Sequence, residues 1–348
     1  MLSFVLITII SLSISYIAER KNSRVGMFLV ALILAVYSGL RGPEVGIDTE
    51  QYYYFYEQSL TGSQIYGVEE SFISFCEFLQ NYSSDPAFLI FVVSFFTNVL
   101  IVIRLWTFKE KCSFWVMIAI YISGYYPESM NIMRQFFAVA LIFFGSYFLQ
   151  KNKVLLFLPF LFVAINMHTS SIVGILLLFV YFWNKEECNW KKKSILLFVM
   201  VPITYVGFSK VKDAYEIYAK YFEIVKQNIG FMLAYKISAV SLVGYVSKCG
   251  LIRRGVDIVG KNKMNENVVG LYLIGLLLCS LGSFFPFVDR IGLYFLMFEM
   301  PFWGWAIRAS EMSIPYRIFC YVFIVYLYAM NLLTDGHQIF PYKTIFGV

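Results

Sequence analysis

The sequence predicts an all-α, polytopic integral membrane protein, and three observations predict it. Hydrophobic residues make up 59% of the 348 and charged residues only 14%, whereas soluble domains carry about a quarter charged residues. Apolar runs recur along the chain, separated by short polar loops. Aromatic residues reach 20%, and many of the 26 Tyr and 36 Phe sit near the ends of those runs, where amphipathic rings settle at a bilayer interface.

Taken in order, the apolar segments run 1–18, 25–40, 87–106, 114–126, 132–149, 154–167, 169–183, 194–208, 231–249, 268–284, 291–307 and 318–333, which makes about 12 transmembrane or half-crossing helices. The first lacks a basic leading region and is followed by Glu19, Arg20, Lys21 and Arg24, so it reads as a retained helix rather than a signal peptide. The pair flanking His168 falls short of the roughly 20 residues a crossing needs, so it reads as a hairpin with His168 at its apex. Two outer-face loops carry structure of their own. Residues 41–86 are acidic, contain no Lys and include the run Tyr52, Tyr53, Tyr54, Tyr56, with a surface helix near 69–80. Residues 209–230 space Tyr215, Tyr218, Tyr221, Phe222 and Val225 by threes and fours, as an interfacial helix does. No repeat or linker divides the chain, so 1–348 is one membrane domain.

Charge sets the orientation. With both termini outside, 17 Lys and Arg fall in inner loops and 8 in outer segments, which satisfies the positive-inside rule. Cysteines substituted at 191–193 are therefore expected to resist a membrane-impermeant thiol reagent added to intact cells; labelling there would refute this orientation. The scattered Lys and Arg form no basic, aromatic-interleaved patch, so nucleic acid is not an expected partner. The six cysteines show no metal-ligand spacing, and the chain has only two histidines and no phosphate-binding or hydrolase motif. No metal and no cofactor is expected.

Three arginines stand at outer helix ends against the charge bias: Arg41, Arg134 and Arg290. A guanidinium binds phosphate oxygens through a fixed fork, so arginines on one membrane face suit a pyrophosphate. Headgroup contacts or ion pairs are the alternative, and Arg290 has Asp289 beside it. Asp48, Glu128, His168 and Asp289 are the available bases on the same face, and the tyrosines from Tyr52 could hold sugars. His168 is equally readable as a packing residue, and His337, in the terminal stretch, as a solvated tail residue.

The motifs GLR at 39–41, VGIDT at 45–49 with Tyr52, Glu70 and Phe72, NIMRQ at 131–135, Ala164 with His168 and Ser170, and Arg290 with Tyr294 resemble the EpsG-like family of bacterial exopolysaccharide and O-antigen polymerases of the Wzy type. Departures are small: Gly42 and Pro43 follow Arg41, and Thr169 stands where Pro is frequent. The resemblance implies an integral-membrane glycosyltransferase of the bacterial inner membrane that polymerises undecaprenyl-pyrophosphate-linked repeat units at the periplasmic face. It implies His168 and Asp48 as catalytic residues, and Arg41, Arg134, Arg290, Gln135, Tyr52, Asn131 and Tyr294 as contacts to substrate or pyrophosphate. Partners would be lipid-linked donor and acceptor glycans, membrane lipids and a chain-length regulator protein. The alternatives are an O-antigen ligase, whose key residues would gather in one long late loop, and a flippase or transporter of lipid-linked oligosaccharide, which would carry inverted repeats and midplane charges.

Overall fold

The computed structural model describes residues 1–62, 65, 67–183, 252–253, 264–281, 288–308 and 313–347. The interfacial helix expected at 209–230 and the apolar runs at 194–208 and 231–249 lie outside the described residues. The described chain is helical: α1 (Leu2–Lys21), α2 (Arg24–Gly39), α3 (Thr49–Leu60), α4 (Glu70–Gln80), α5 (Pro86–Trp106), α6 (Phe114–Ile120), α7 (Tyr126–Asn131), α8 (Met133–Gln150), α9 (Val154–Met167), α10 (Ile175–Trp183), α11 (Glu266–Leu281), α12 (Val288–Leu296), α13 (Glu299–Arg308) and α14 (Ile314–Thr334). A π-turn at Tyr121–Tyr125 joins α6 to α7, and a 3-10 turn at Thr169–Gly174 leads into α10. Extended pairing among the described residues is a two-residue match of Ile252–Arg253 with Met264–Asn265 and a single bridge between Arg41 and Thr344.

Local chemistry fixes the helix ends. Ser23 caps α2 by accepting from the Gly26 N–H, and Asp85 caps α5 by accepting from Ala87, with Pro86 at the first helical position. Asn22 closes α1 in the left-handed region (φ 49), which returns its N–H to the last turn. Ile132 (φ −77, ψ 51) breaks the path from α7 to α8, and extended His168 (φ −158, ψ 118) ends α9.

The count of about 12 spans is not confirmed. Four described helices, α1, α5, α8 and α14, are long and apolar enough to cross a membrane. Others, including α2 and α9, are apolar but shorter, and the run expected at 291–307 divides into α12 and α13. Helices α8 and α9 pack so closely that a Cβ on Gly145 would lie 3.0 Å from Phe157 and Phe160.

One end of the bundle gathers basic loops. Glu19 accepts from the Ser113 hydroxyl (3.0 Å) and the Trp115 N–H (3.2 Å), Lys109 donates to the Asn22 side chain, and Arg308 donates to the Lys109 carbonyl (2.6 Å). The loops that charge assigns to one face thus meet in space. At this end Arg104 is buried with no carboxylate partner among the described residues, donating to the Phe143 carbonyl (3.1 Å) and the Ser146 hydroxyl (3.2 Å) and lying 4.1 Å over the Phe108 ring. The opposite end carries the polar residues singled out above.

Candidate functional site

At that opposite end the head of α4, the head of α8 and the apex after α9 are pinned together by one carboxylate. Glu69, just ahead of α4, accepts from Arg134 through one oxygen and, through the other, from the Thr169 N–H (2.9 Å) and hydroxyl (3.2 Å). The Arg134 guanidinium lies over Phe72 (5.1 Å) and Phe55 (5.9 Å), and the Tyr52 hydroxyl lies beside it. One Arg134 donor, Nε–H, is buried with no acceptor among the described residues.

The apex continues into α12. His168 Nδ1 is hydrogen-bonded to the Ser170 hydroxyl at 2.7 Å, and that hydroxyl to the Tyr294 hydroxyl at 3.0 Å. Tyr294 is fully buried, so the chain of three groups is anchored at its inner end. Gln135, also buried, donates to the Arg290 carbonyl at 2.8 Å and ties the head of α8 to that of α12. Arg290 itself is exposed, and its charge acts on Asp48, Glu128 and His168. His168, Arg134, Arg290, Tyr294, Gln135, Tyr52 and Asp48 are therefore neighbours, although their positions span nearly 250 residues.

Burial and these charges set the protonation states. Burial pushes the His168 imidazole down to about 4, Glu69 opposing and the two arginines adding, so the ring is neutral at pH 7. Burial would raise Glu69, yet Arg134, the Thr169 N–H and His168 hold its carboxyl below the usual range. Burial raises Asp48 despite Arg290 and Arg134. Glu128 is pushed up to about 7 by burial, with Asp289 adding and Arg290 opposing. A neutral imidazole can orient a hydroxyl and take its proton, and so can a carboxylate that exchanges its proton near pH 7.

Two expected contacts fall elsewhere. Arg41 is fully buried, and all five of its N–H donors are directed at protein acceptors: the Thr49 and Ser94 hydroxyls (3.2 and 3.1 Å), the Ser38 and Met130 carbonyls, the latter at 2.8 Å, and the Met133 sulfur at 3.8 Å. It braces α2, the start of α3, α5 and the α7–α8 break. Asn131 accepts from the Ile47 N–H (2.9 Å) and donates to His337, at its ring and carbonyl (both 3.1 Å). His337 is thus half-buried against Asn131 and not the solvated tail residue its position suggested. Glu69, not its neighbour Glu70, occupies the site; Glu70 is exposed. The only signal for Glu69 in the sequence was its place ahead of an apolar helical run.

No curated protein and no solved structure matches the chain. A model of the EpsG family matches residues 24–344, a stretch that runs from α2 to Thr344 and contains every residue of the cluster just described. The chain belongs to the EpsG family.

Proposed function

We propose that this protein is an integral-membrane polymerase of the bacterial inner membrane that joins undecaprenyl-pyrophosphate-linked oligosaccharide repeat units, of O-antigen or a related polysaccharide, at the periplasmic face. The observation that supports it is the meeting of the Glu69–Arg134 pair, Arg290 and the His168–Ser170–Tyr294 chain at the bundle end opposite the basic loops, in a chain of the EpsG family. In the reaction a hydroxyl of the acceptor sugar attacks the anomeric carbon of the donor glycan. The bond from that carbon to the pyrophosphate oxygen breaks, the lipid pyrophosphate leaves with the electron pair, and the hydroxyl proton passes to a base. Such a step needs cations where negative charge grows and a polar group at the attacking oxygen. The Nε–H of Arg134, which has no acceptor among the described residues, and the exposed Arg290 are suited to the first. Neutral His168 is suited to the second, with Asp48 and Glu128 as carboxylates able to accept the proton.

Glycan ladders separate this reading from its rivals. A deletion strain is expected to keep single repeats on the lipid A core and lose every longer rung, with the ladder restored by the gene in trans. Loss of all repeats would instead indicate a ligase or flippase, and an unchanged ladder would refute the proposal.

A further inference from the structure

The chain after α14 folds back as a strap over the turn that leads into α3. Asp335 ends α14 in the left-handed region (φ 40), and its carboxylate accepts from the Ile339 and Phe340 N–H groups at 2.9 and 3.1 Å, which turns the backbone around. The strap then pairs along residues 40–46. Gly46 donates to the Gln338 carbonyl, Gly42 to the Lys343 carbonyl, and Ile345 to the Leu40 carbonyl, each at 2.9 Å. The Tyr342 ring stacks on Tyr37 at 4.0 Å, and Lys343 lies 3.5 Å from Glu44.

Asn131 sits at the centre of this arrangement with its amide fully used. Its oxygen takes the Ile47 N–H, and both amine hydrogens go to His337, one to the ring Nδ1 and one to the carbonyl. The fit admits no side chain at Gly46, whose φ is +91 and whose added Cβ would lie 2.5 Å from the Asn131 oxygen. Asp48 follows directly as the cap position of α3, and its carbonyl accepts from the Tyr52 N–H at 3.2 Å. His337 is about 290 residues away along the chain, yet one side chain separates it from this turn.

We propose that His337 is a positioning residue for chain extension: by holding Asn131 it fixes the turn at 46–48 and so the placement of Asp48 at the head of α3. This role rests on the polymerase reading above. It predicts an effect on turnover rather than on substrate affinity, because a misplacement of about 1 Å near reacting groups can cost on the order of 100-fold in rate.

The test uses the full-length protein in nanodiscs with purified undecaprenyl-pyrophosphate-linked repeat units, kcat and KM being measured per folded protein. The kcat of His337→Ala is expected to fall by about 10- to 100-fold with KM nearly unchanged. His337→Asn is expected to recover to within about threefold of wild type, since the amide oxygen can replace Nδ1 as an acceptor. Gly46→Ala reaches the same turn from its other side, leaves His337 intact, and is expected to lower kcat in the same way. A wild type that extends nothing overturns the polymerase reading, an outcome separate from the rest. If the wild type extends chains while both His337→Ala and Gly46→Ala stay within about twofold of it, the positioning role is overturned. Failure of His337→Asn to recover also overturns it. Should His337→Ala not accumulate, Gly46→Ala decides alone.

Discussion

Substituting His168 with Gln is expected to lower chain extension by about 100-fold or more, the scale of a lost acid–base or hydroxyl-orienting group, while the protein accumulates normally and still binds lipid-linked acceptor. Nδ1 is engaged by Ser170, which leaves Nε2 as the ring's remaining donor or acceptor. Glutamine cannot hold the serine and reach that position together. Asp48→Asn should retain measurable extension under the same assay. The opposite pattern, a normal ladder from His168→Gln and single repeats from Asp48→Asn, would move the role to the carboxylate. The pH profile sharpens the assignment. Burial keeps His168 uncharged down to about 4, so it should produce no limb between pH 5 and 8. A fall in rate as pH drops through about 7 is expected from Glu128, whose ionised form fades there, and should vanish in Glu128→Gln.

Arg134→Lys is expected to lose most polymerase activity although it preserves a positive charge beside Glu69. Lysine offers no planar fork, cannot replace the buried Nε–H, and cannot lie flat over Phe72. Arg134→Ala should add a folding defect of about 3 kcal/mol, because removing one partner strands a mostly buried carboxylate. Ladders and melting temperatures in detergent read the two effects separately, and full-length ladders from Arg134→Lys at normal abundance would refute the pyrophosphate assignment. Arg41 behaves differently. Its five donors answer acceptors from α2, α3, α5 and the α7–α8 break, so Arg41→Lys should appear first as lost protein, with turnover per folded molecule less affected.

The long apolar helices were legible because composition alone determines them. The segments expected at 1–18, 87–106 and 318–333 are α1, α5 and α14, each within a few residues, and the surface helix expected near 69–80 is α4. Helix α3 escaped notice: its tyrosines stand among Glu and Gln with no apolar stripe, and it owes its order to burial of Tyr52, Phe55 and Tyr56 against neighbours the sequence does not show. The break at Ile132 falls at the boundary expected between 114–126 and 132–149, whereas the division after Leu296 was hidden, because the run expected at 291–307 continues through it. For the site, residue types sufficed to single out His168, Arg134 and Arg290. Partners did not follow from types. Arg41 and Arg134 look alike along the chain, yet one is saturated by backbone and hydroxyl acceptors and the other retains a donor. Glu69 and Glu70 differ only in where α4 begins, and His337 acquires a role only when the strap returns to Asn131.

Helix α9 has 14 residues, so at about 1.5 Å per residue it rises roughly 21 Å, well short of a hydrocarbon core about 30 Å thick. A bilayer beside such a helix must dip toward it. Such a dip would draw the headgroup layer down to the level of His168, and on the polymerase proposal a carrier lipid in the leaflet would meet the residue at the depth of its own phosphates. Delivery then becomes a matter of lateral diffusion in a sheet. On that proposal the growing saccharide would stay in water, and only the join between sugar and lipid would have to enter the protein.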